Sequence, residues 1–230
     1  MIDLRLGSWQ DVLADIECDA VICDPPFSQR THELSAAAER SDSYDPAQLS
    51  PSYIYMDNAS IAEFCGHWSV KCKGWIVALC DHHLIPIYQR EYERAGLYSF
   101  APLPCVMRGM SIRLCGDGPS SWAVYAMVAR PRTREFSCWG TLPGAYVGAP
   151  SRNAGGGRGK PSWLMSALIR DYSRKGDLIV DPFAGWGGTL RCAESLGRRA
   201  IGAEIDSEAF AEAHRRSSGQ GQLELTMLDG

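Results

Sequence analysis

One short motif, Asp24-Pro25-Pro26-Phe27, combines residue types that could bind a flat ring bearing an amine. The motif follows an apolar run that predicts a buried strand, and two successive prolines make a stiff exit from such a strand. The first proline also restrains the backbone of Asp24. The Asp24 carboxylate and the Pro25 carbonyl can then accept hydrogen bonds from one donor group, while Phe27 offers a stacking face. A plain strand-to-loop turn with a capping Asp is the alternative.

A second motif, DPFAGWGGT from Asp181 to Thr189, is a glycine-rich segment between a predicted strand and a predicted helix. Its glycines allow a ligand to approach the backbone closely and to meet free N–H groups. The dinucleotide fingerprint is excluded because Leu190 occupies the place of its third glycine, and the Lys-Ser/Thr pair of a P-loop is missing. Glu204 ends the next predicted strand, where an acid can bind ribose hydroxyls. The motif predicts a site for a nucleoside-like ligand without a diphosphate; a tight turn with a helix-capping acid is the alternative.

Together, these motifs resemble those of the amino-methyltransferases, which use S-adenosylmethionine to methylate exocyclic amines of DNA bases. DPPF resembles the family's catalytic Asp/Asn/Ser-Pro-Pro-aromatic motif, and DPFAGWGGT resembles its D-x-F-x-G-x-G-T cofactor loop. Lys160-Pro161 resembles the K-P that precedes the cofactor loop, and Leu6-Gly7-Ser8 resembles an L-x-x-G-D segment in which Ser8 replaces the usual acid. The catalytic motif comes first here, which resembles the permuted, beta-type subgroup.

The resemblance implies direct methyl transfer from S-adenosylmethionine to the amine of a base that has been flipped out of the DNA duplex, with no metal ion. Asp24 and the Pro25 carbonyl would aim the amine lone pair at the methyl group, and Phe27 would stack on the base. The implied catalytic residues are Asp24, Pro25, Pro26 and Phe27. The implied cofactor-binding residues are Ser8, Asp24, Lys160, Asp181, Pro182, Phe183, Ala184, Gly185, Gly187, Glu204 and Asp206.

The sequence leaves the modified base open. Asp24 in the first motif position resembles the adenine-modifying members, so adenine N6 is favoured and cytosine N4 is the alternative. An RNA methyltransferase with the same pocket is a further alternative. Pro104-Cys105 imitates the nucleophile of enzymes that methylate a cytosine ring carbon, but their Glu-Asn-Val segment is missing, so a buried thiol is favoured. A non-catalytic partner subunit would show a degraded motif, and both motifs are intact.

Short apolar runs alternate with amphipathic segments, which predicts an α/β protein with a mostly parallel sheet covered by helices on both faces. The resemblance implies a doubly wound, seven-stranded sheet of the Rossmann-like methyltransferase type, circularly permuted, in a single domain over residues 1–230. The predicted strands are Ala20–Cys23, Trp75–Cys80, Trp122–Ala129, Leu178–Val180 and Ala200–Ala203. The predicted helices are Ser60–Val70, Ile85–Ala95, Ser162–Ser173, Gly188–Ser195 and Ser207–Arg216.

Basic residues are concentrated in the middle of the sequence. Residues 105–175 hold 11 Lys and Arg against 3 Asp and Glu, whereas residues 1–104 hold 7 against 15 and residues 176–230 hold 5 against 9. A cationic face lets an acidic chain bind a polyanion, so DNA is the predicted partner; solvated surface charge is the alternative. The predicted DNA contacts, most of them in a small basic insert at about 105–160, are Arg30, Arg108, Arg113, Arg130, Arg132, Arg134, Arg152 and Arg158.

Arg-rich loops position a nucleic-acid backbone better than they read base edges. We therefore expect weak or very short sequence specificity, as in a phage or mobile-element enzyme. Strand state, oligomeric state and any restriction partner are left open, and a homodimer is one alternative.

Length and composition exclude other classes of protein. The 230 residues, 45% hydrophobic and 22% charged, are enough for one globular domain and too apolar for a disordered chain. The sequence has no apolar run long enough for a membrane span and no targeting segment, so a cytoplasmic location is expected. Nine scattered cysteines without a C-x-x-C pair favour reduced thiols. His82 and His83 are expected to point to opposite sides of a strand tip and not to bind a metal.

Overall fold

The computed structural model of the chain describes residues 2–31, 55–109, 121–133, 139–150 and 159–217. Its strands are β1 (Ile2–Leu6), β2 (Cys18–Cys23), β3 (Cys72–Cys80), β4 (Tyr98–Ser99), β5 (Leu103–Met107), β6 (Ala123–Arg130), β7 (Tyr146–Gly148), β8 (Leu178–Asp181) and β9 (Arg199–Glu204). Its helices include α1 (Trp9–Val12), α2 (Asn58–Lys71), α3 (Ile85–Arg94), α4 (Ser162–Tyr172), α5 (Gly188–Ser195) and α6 (Ser207–Ser217).

The strands form one sheet in the order β1-β9-β8-β2-β3-β6-β5-β7, and β4 pairs with β6. β1 and β8 are each parallel to β9, β2 is parallel to β8, and β7 is parallel to β5. Only β6 runs antiparallel to its partners β4 and β5 among the pairs with a described register. The predicted α/β class with a mostly parallel sheet is therefore confirmed. Within the described residues the sheet has nine strands instead of seven, and the short strands β4 and β7 account for the difference.

The chain divides into two compact units, the first of which contains Met1–Asp24, Lys71–Val77 and Ser151–Gly230. In this unit β2 and β8 are buried almost throughout, as expected for strands covered on both faces. Helix α4 packs against β2 and α5. Leu164 and Leu168, four residues apart on one face of α4, are fully buried, as expected for an amphipathic helix that covers a sheet.

The second unit contains Pro25–Val70 and Ala78–Pro150. In this unit helices α2 and α3 meet through the rings of Phe64 and Tyr88, whose centroids are 6.3 Å apart in an edge-to-face arrangement. The side chain of Tyr92 on α3 is also fully buried, and its hydroxyl donates to the Met127 carbonyl on β6. These aromatic contacts fix α3 against the sheet.

Every predicted strand and helix lies on an element of the structure, with ends that differ by at most three residues. Strand β5 was not predicted, because Pro104 within it argues against a strand. Strand β1 was not predicted either, because its sequence IDLRL alternates apolar and polar residues. β1 lies at one edge of the described sheet, where Ile2 to Arg5 are half-buried and Leu6 is exposed. None of the helices in the described residues is long and apolar enough to cross a membrane.

Candidate active site

The two motifs meet at the carboxyl ends of neighbouring strands. β2 and β8 are parallel and adjacent, with Ala20 opposite Ile179 and Val21 opposite Val180. Asp24 leaves β2 directly after its last residue, and Asp181 ends β8 and begins the glycine-rich turn. In a parallel sheet, loops at this edge form the ligand site. Both motifs therefore begin at the same edge of the sheet.

Lys160 binds the carboxylate of Asp24. Its Nζ lies 2.8 Å from Oδ1 and 2.9 Å from Oδ2, so both oxygens face one ammonium group. The two side chains are only 17% and 27% exposed, and a charge-assisted contact shielded in this way is stronger than an exposed surface ion pair. Lys160 was expected only among the cofactor-binding residues, and its contact with Asp24 was not predicted. The K-P motif is positioned for this contact because Pro161 forms the cap of α4.

The glycine-rich turn is held by Glu204 at the end of β9. Glu204 Oε2 accepts from the Gly185 N–H at 2.7 Å, and Oε1 accepts from the Asp206 N–H at 2.8 Å. Gly185 and Gly187 have φ of +50° and +73°, values that favour glycine. Each carboxylate oxygen of Glu204 keeps a further lone pair. This acid therefore fixes the turn and remains an acceptor for a ligand.

A third glycine, Gly202 on β9, lets the turn pack on the sheet. A Cβ at this position would lie 2.8 Å from Leu190 Cδ1, 2.9 Å from Ala184 Cβ and 3.1 Å from the Asp181 carbonyl oxygen. Ala184 is also bonded to β9 through its N–H, which donates to the Ala203 carbonyl at 2.9 Å. Sequence reasoning missed Gly202, although a glycine inside a predicted strand is a sign of close backbone approach.

Asp181 is in electrostatic contact with two other acids of the first unit, Asp24 and Glu204. Burial, together with the nearby charges of Asp24 and Glu204, raises the pKa of Asp181 to about 7, against the lowering effect of hydrogen bonds from Thr189 and Phe183. Burial also raises the pKa of Glu204, although N–H donors from Asp206 and Gly185 oppose it. Acids whose pKa is raised by burial and by one another occur at functional sites, where a cationic ligand relieves their repulsion.

Two other predicted cofactor contacts, Ser8 and Asp206, have local partners. The Ser8 hydroxyl donates to Asp11 Oδ2 at 2.7 Å. Asp206 Oδ1 accepts from the N–H groups of Glu208 and Ala209 at 3.0 and 2.8 Å, so Asp206 caps α6. The structure thus assigns both side chains a place at a helix start, and their part in cofactor binding stays a prediction. Of the remaining predicted contacts, Pro182 and Ala184 are buried and Phe183 is half-buried.

The rest of the first motif belongs to the second unit. Pro25 is buried, whereas Pro26 and Phe27 are half-buried. The Phe27 carbonyl accepts from the Met56 N–H at 3.3 Å. Ser28, the residue after Phe27, donates hydrogen bonds to Asp81, which directly follows β3. The sequence analysis did not predict this contact, because in the sequence Asp81 is only an acid at the end of an apolar run.

The predicted DNA contacts fall in several places. Arg30 and Arg108 are exposed, and Arg108 follows the carboxyl end of β5. Arg130 and Arg132 lie at the other end of the antiparallel β5–β6 pair, which separates Arg130 from Arg108 by roughly 30 Å of strand. The remaining contacts, Arg113, Arg134, Arg152 and Arg158, lie outside the described residues.

Arg130 and Arg132 are stacked on aromatic rings. The Arg130 guanidinium carbon lies 5.3 Å from the ring centroid of Tyr98 and 5.7 Å from that of Phe100, and Arg132 lies 5.5 Å from Tyr98. Stacking of this kind holds a guanidinium in place while leaving its edges able to donate hydrogen bonds.

Cys105 and the pair His82 and His83 are the groups that could suggest other chemistries. Cys105 is fully buried in β5, as expected for a thiol that packs in the core. His82 and His83 lie in a turn after Asp81, with ring centroids 3.9 Å apart, so the expectation that they point to opposite sides is wrong. The expectation assumed strand geometry, which ends at Cys80. No group of three or more metal-ligating side chains occurs in the described part of the chain.

Comparison with known proteins agrees with this geometry. Residues 151–215 match a family model of N6/N4 methyltransferases described as DNA methylase. A curated relative, the DNA adenine methyltransferase YhdJ of Escherichia coli (strain K12), is 42% identical over 57 residues, which are 25% of this chain and 19% of the relative. The chain thus matches about a fifth of the length of its curated relatives.

Solved structures match nearly the whole chain in fold. The structure of the M1.HpyAVI–SAM complex superposes with a TM-score of 0.65 at 19% identity and covers 94% of this chain and 99% of the other. The cytosine-N4-specific PvuII DNA methyltransferase superposes with a TM-score of 0.66 at 16% identity and covers 94% and 86%. The chain therefore has the Rossmann-like fold of these two structures. Its sequence similarity to the DNA methylase family lies in residues 151–215, which contain the glycine-rich turn.

Proposed function

We propose that the protein transfers a methyl group from S-adenosylmethionine to the exocyclic amine of a flipped DNA base, with adenine N6 as the favoured target. The observation that supports this most directly is the adjacency of β2 and β8. It brings Asp24, a candidate amine acceptor, to the same sheet edge as the turn that begins at Asp181. The order of the motifs along the chain is consistent with the permuted subgroup, which we include in the proposal.

The acids around the turn suit the proposed cofactor. S-adenosylmethionine has two cationic groups and a ribose, and the described residues include Asp181 in electrostatic contact with both Asp24 and Glu204. Glu204 ends β9, the place from which an acid accepts hydrogen bonds from ribose hydroxyls. The Gly185 and Gly187 backbone allows the ligand to approach closely. The residues present therefore fit this cofactor.

In the proposed mechanism the cofactor supplies an electrophilic methyl group and the protein prepares the nucleophile. An amine on an aromatic ring is a weak nucleophile because its lone pair is delocalised. A carboxylate has about four acceptor positions, of which Lys160 occupies two on Asp24, so Asp24 can still accept from the amine. A hydrogen bond from the amine to Asp24, and another to the Pro25 carbonyl, favour a pyramidal nitrogen whose lone pair is available.

Lys160 has a positioning role in this proposal. Its ammonium fixes the orientation of the Asp24 carboxylate and offsets its repulsion from Asp181. Phe27 supplies the stacking face for the flipped base, as the sequence predicts. The proposed DNA contacts remain Arg30, Arg108, Arg130, Arg132 and the four predicted arginines outside the described residues.

Cytosine N4 is the second candidate target. One observation favours it, the fold match to an enzyme described as cytosine-N4-specific. Two favour adenine: Asp in the first motif position, and the sequence match to an enzyme described as a DNA adenine methyltransferase. The two amines present similar donor groups, so the choice depends on which ring fits against Phe27.

The test is transfer of tritium from labelled S-adenosylmethionine to unmethylated DNA, followed by digestion to nucleosides. We expect label in N6-methyl-2′-deoxyadenosine; label in N4-methyl-2′-deoxycytidine selects the second candidate. RNA of matched composition is the control substrate, and transfer to RNA alone would overturn the assignment to DNA. Mapping of methylated positions on random-sequence DNA tests specificity, and a single sharp motif of four or more bases would contradict the expected weak specificity.

A further inference from the structure

Asp81, the residue after β3, accepts four hydrogen bonds from the surrounding chain. Its Oδ2 accepts from the Ser28 N–H at 2.8 Å, the Ser28 hydroxyl at 2.7 Å and the Thr31 hydroxyl at 2.7 Å. Its Oδ1 accepts from the His83 N–H at 2.9 Å. Asp81 and Ser28 are only 7% and 8% exposed, so water competes little for these bonds.

These donors keep the buried carboxylate ionised. Burial by itself raises the pKa of Asp81, but hydrogen bonds from Ser28, Thr31 and His83 outweigh burial and hold the pKa below its usual value. An ionised acceptor forms shorter and stronger hydrogen bonds than a neutral one. Asp81 is therefore a fixed attachment point for the segment that contains Ser28 and Thr31.

That segment begins directly after Phe27. On its amino-terminal side Phe27 is preceded by Pro25 and Pro26, whose rings restrict the backbone. On its carboxyl-terminal side the chain is attached to Asp81 at the very next residue, Ser28. The Phe27 carbonyl is itself bound by the Met56 N–H. The backbone of Phe27 is thus restrained from both directions.

We infer that Asp81 is a positioning residue for the target base: by holding Ser28 and Thr31 to the end of β3, it fixes the direction of the Phe27 ring on which the flipped base stacks. The inference rests on the proposed function, because it needs a base that stacks on Phe27. Stacking requires the ring plane to be set before the base arrives, since ordering it on binding would weaken both affinity and alignment. Asp81 supplies that order without touching the base.

The side chains offer matched variants. Thr31→Val removes one hydroxyl donor to Asp81 at a half-buried position and keeps the shape, whereas Thr31→Ser keeps the hydroxyl. Ser28→Ala and Ser28→Thr form a second pair of the same kind. Asp81→Asn replaces the charged acceptor by a neutral amide of equal size. Ser69→Ala is the control, because the exposed Ser69 hydroxyl donates to the Gly66 carbonyl of its own helix and, among the described residues, has no contact with Asp81.

The measurements are kcat and KM for DNA by tritium transfer, the Kd of S-adenosylhomocysteine by calorimetry, and the melting temperature. We expect Asp81→Asn and Thr31→Val to lower kcat/KM for DNA by about tenfold or more, the effect of losing a hydrogen bond to a charged group. The cofactor-product Kd should stay within about twofold, and Thr31→Ser should restore most of the activity.

Two results would overturn the inference. One is a kcat/KM for DNA within twofold of wild type in Thr31→Val and Ser28→Ala. The other is a parallel loss of S-adenosylhomocysteine affinity and melting temperature, which shows a general structural role. If Asp81→Asn fails to fold, Thr31→Val keeps the test decisive. Thr31 is half-buried, so removal of its hydroxyl should lower the free energy of unfolding only slightly. An inactive wild type overturns the proposed function, and the inference with it, whereas an active wild type with active variants overturns the inference alone.

Discussion

The ammonium of Lys160 faces both carboxylate oxygens of Asp24 across 136 residues of sequence. Asp24 belongs to the first motif and Lys160 to the segment before α4. This contact therefore joins two motifs that are far apart in the sequence. The charge of Lys160 thus lies beside Asp24, which is itself in electrostatic contact with Asp181. The consequences for catalysis can be tested one residue at a time.

Replacement of Asp24 by Asn should abolish methyl transfer, with kcat reduced at least about a hundredfold. Asn keeps the size of the side chain and loses the charged acceptor for the amine. The Kd for S-adenosylhomocysteine should change by less than about fivefold, since Glu204 and the glycine-rich turn remain. Calorimetry and tritium transfer measure the two quantities, and near wild-type turnover would refute the role of this carboxylate.

Lys160→Met should lower kcat by about tenfold through misplacement of Asp24. The Asp24 carboxylate would then lie near Asp181 without its cation, so the free energy of unfolding should also fall, by about 1–3 kcal/mol. Lys160→Arg, which keeps the charge, should recover part of the turnover. Urea unfolding and steady-state kinetics separate the two effects. Equal losses of kcat in the Met and Arg variants would show that charge at this position is not what matters.

Gly202→Ala should destabilise the fold and weaken cofactor binding. Its new Cβ would collide with Leu190 and Ala184, and the Asp181 carbonyl is too close to allow a simple shift. We expect a loss of about 1–3 kcal/mol in the free energy of unfolding. Gly188→Ala is the matched control, because nothing lies within 4 Å of its added Cβ and Ala is favoured in a helix. Equal melting temperatures for the two variants would contradict the packing argument.

Asp181 should make stability depend on pH. Its folded-state pKa of about 7 lies above the value of an unfolded Asp, so the folded state binds the proton more tightly. The free energy of unfolding should therefore fall as pH rises from about 4 to about 7, by at most about 4 kcal/mol from this group. Asp181→Asn should flatten this part of the profile. Denaturant unfolding across the range provides the measurement, and an unchanged slope in the variant would assign the dependence to other groups.

Arg108→Ala should weaken DNA binding without affecting the cofactor. Loss of one phosphate contact should lower DNA affinity about three- to tenfold and reduce the slope of log affinity against log salt by about one. Arg170→Ala on α4 serves as the control, since Arg170 is an exposed arginine outside the predicted contacts. Fluorescence anisotropy with labelled duplex gives both quantities, and identical salt slopes for the two variants would remove Arg108 from the proposed interface.

Local patterns predicted the two motifs and most of the sheet, because each depends on residues next to one another in sequence. The glycine-rich turn and the Asp24 exit are of this kind. The Lys160–Asp24 contact was not predicted, because only the folded sheet brings those segments together. The same holds for Asp81, whose donors lie 50 and 53 residues earlier in the chain. β5 was not predicted because it contains Pro104. Proline has no backbone N–H to donate to a neighbouring strand, so its presence argues against a strand.

The pairing of β1 with β9 has a consequence for folding. Ile2 lies opposite Ala200, so this side of the described sheet forms only when segments 198 residues apart in sequence come together. Contacts of such long range slow folding and prolong the time during which a strand edge is exposed. Charged side chains on an edge strand, here Asp3 and Arg5, disfavour its pairing with strands of other chains.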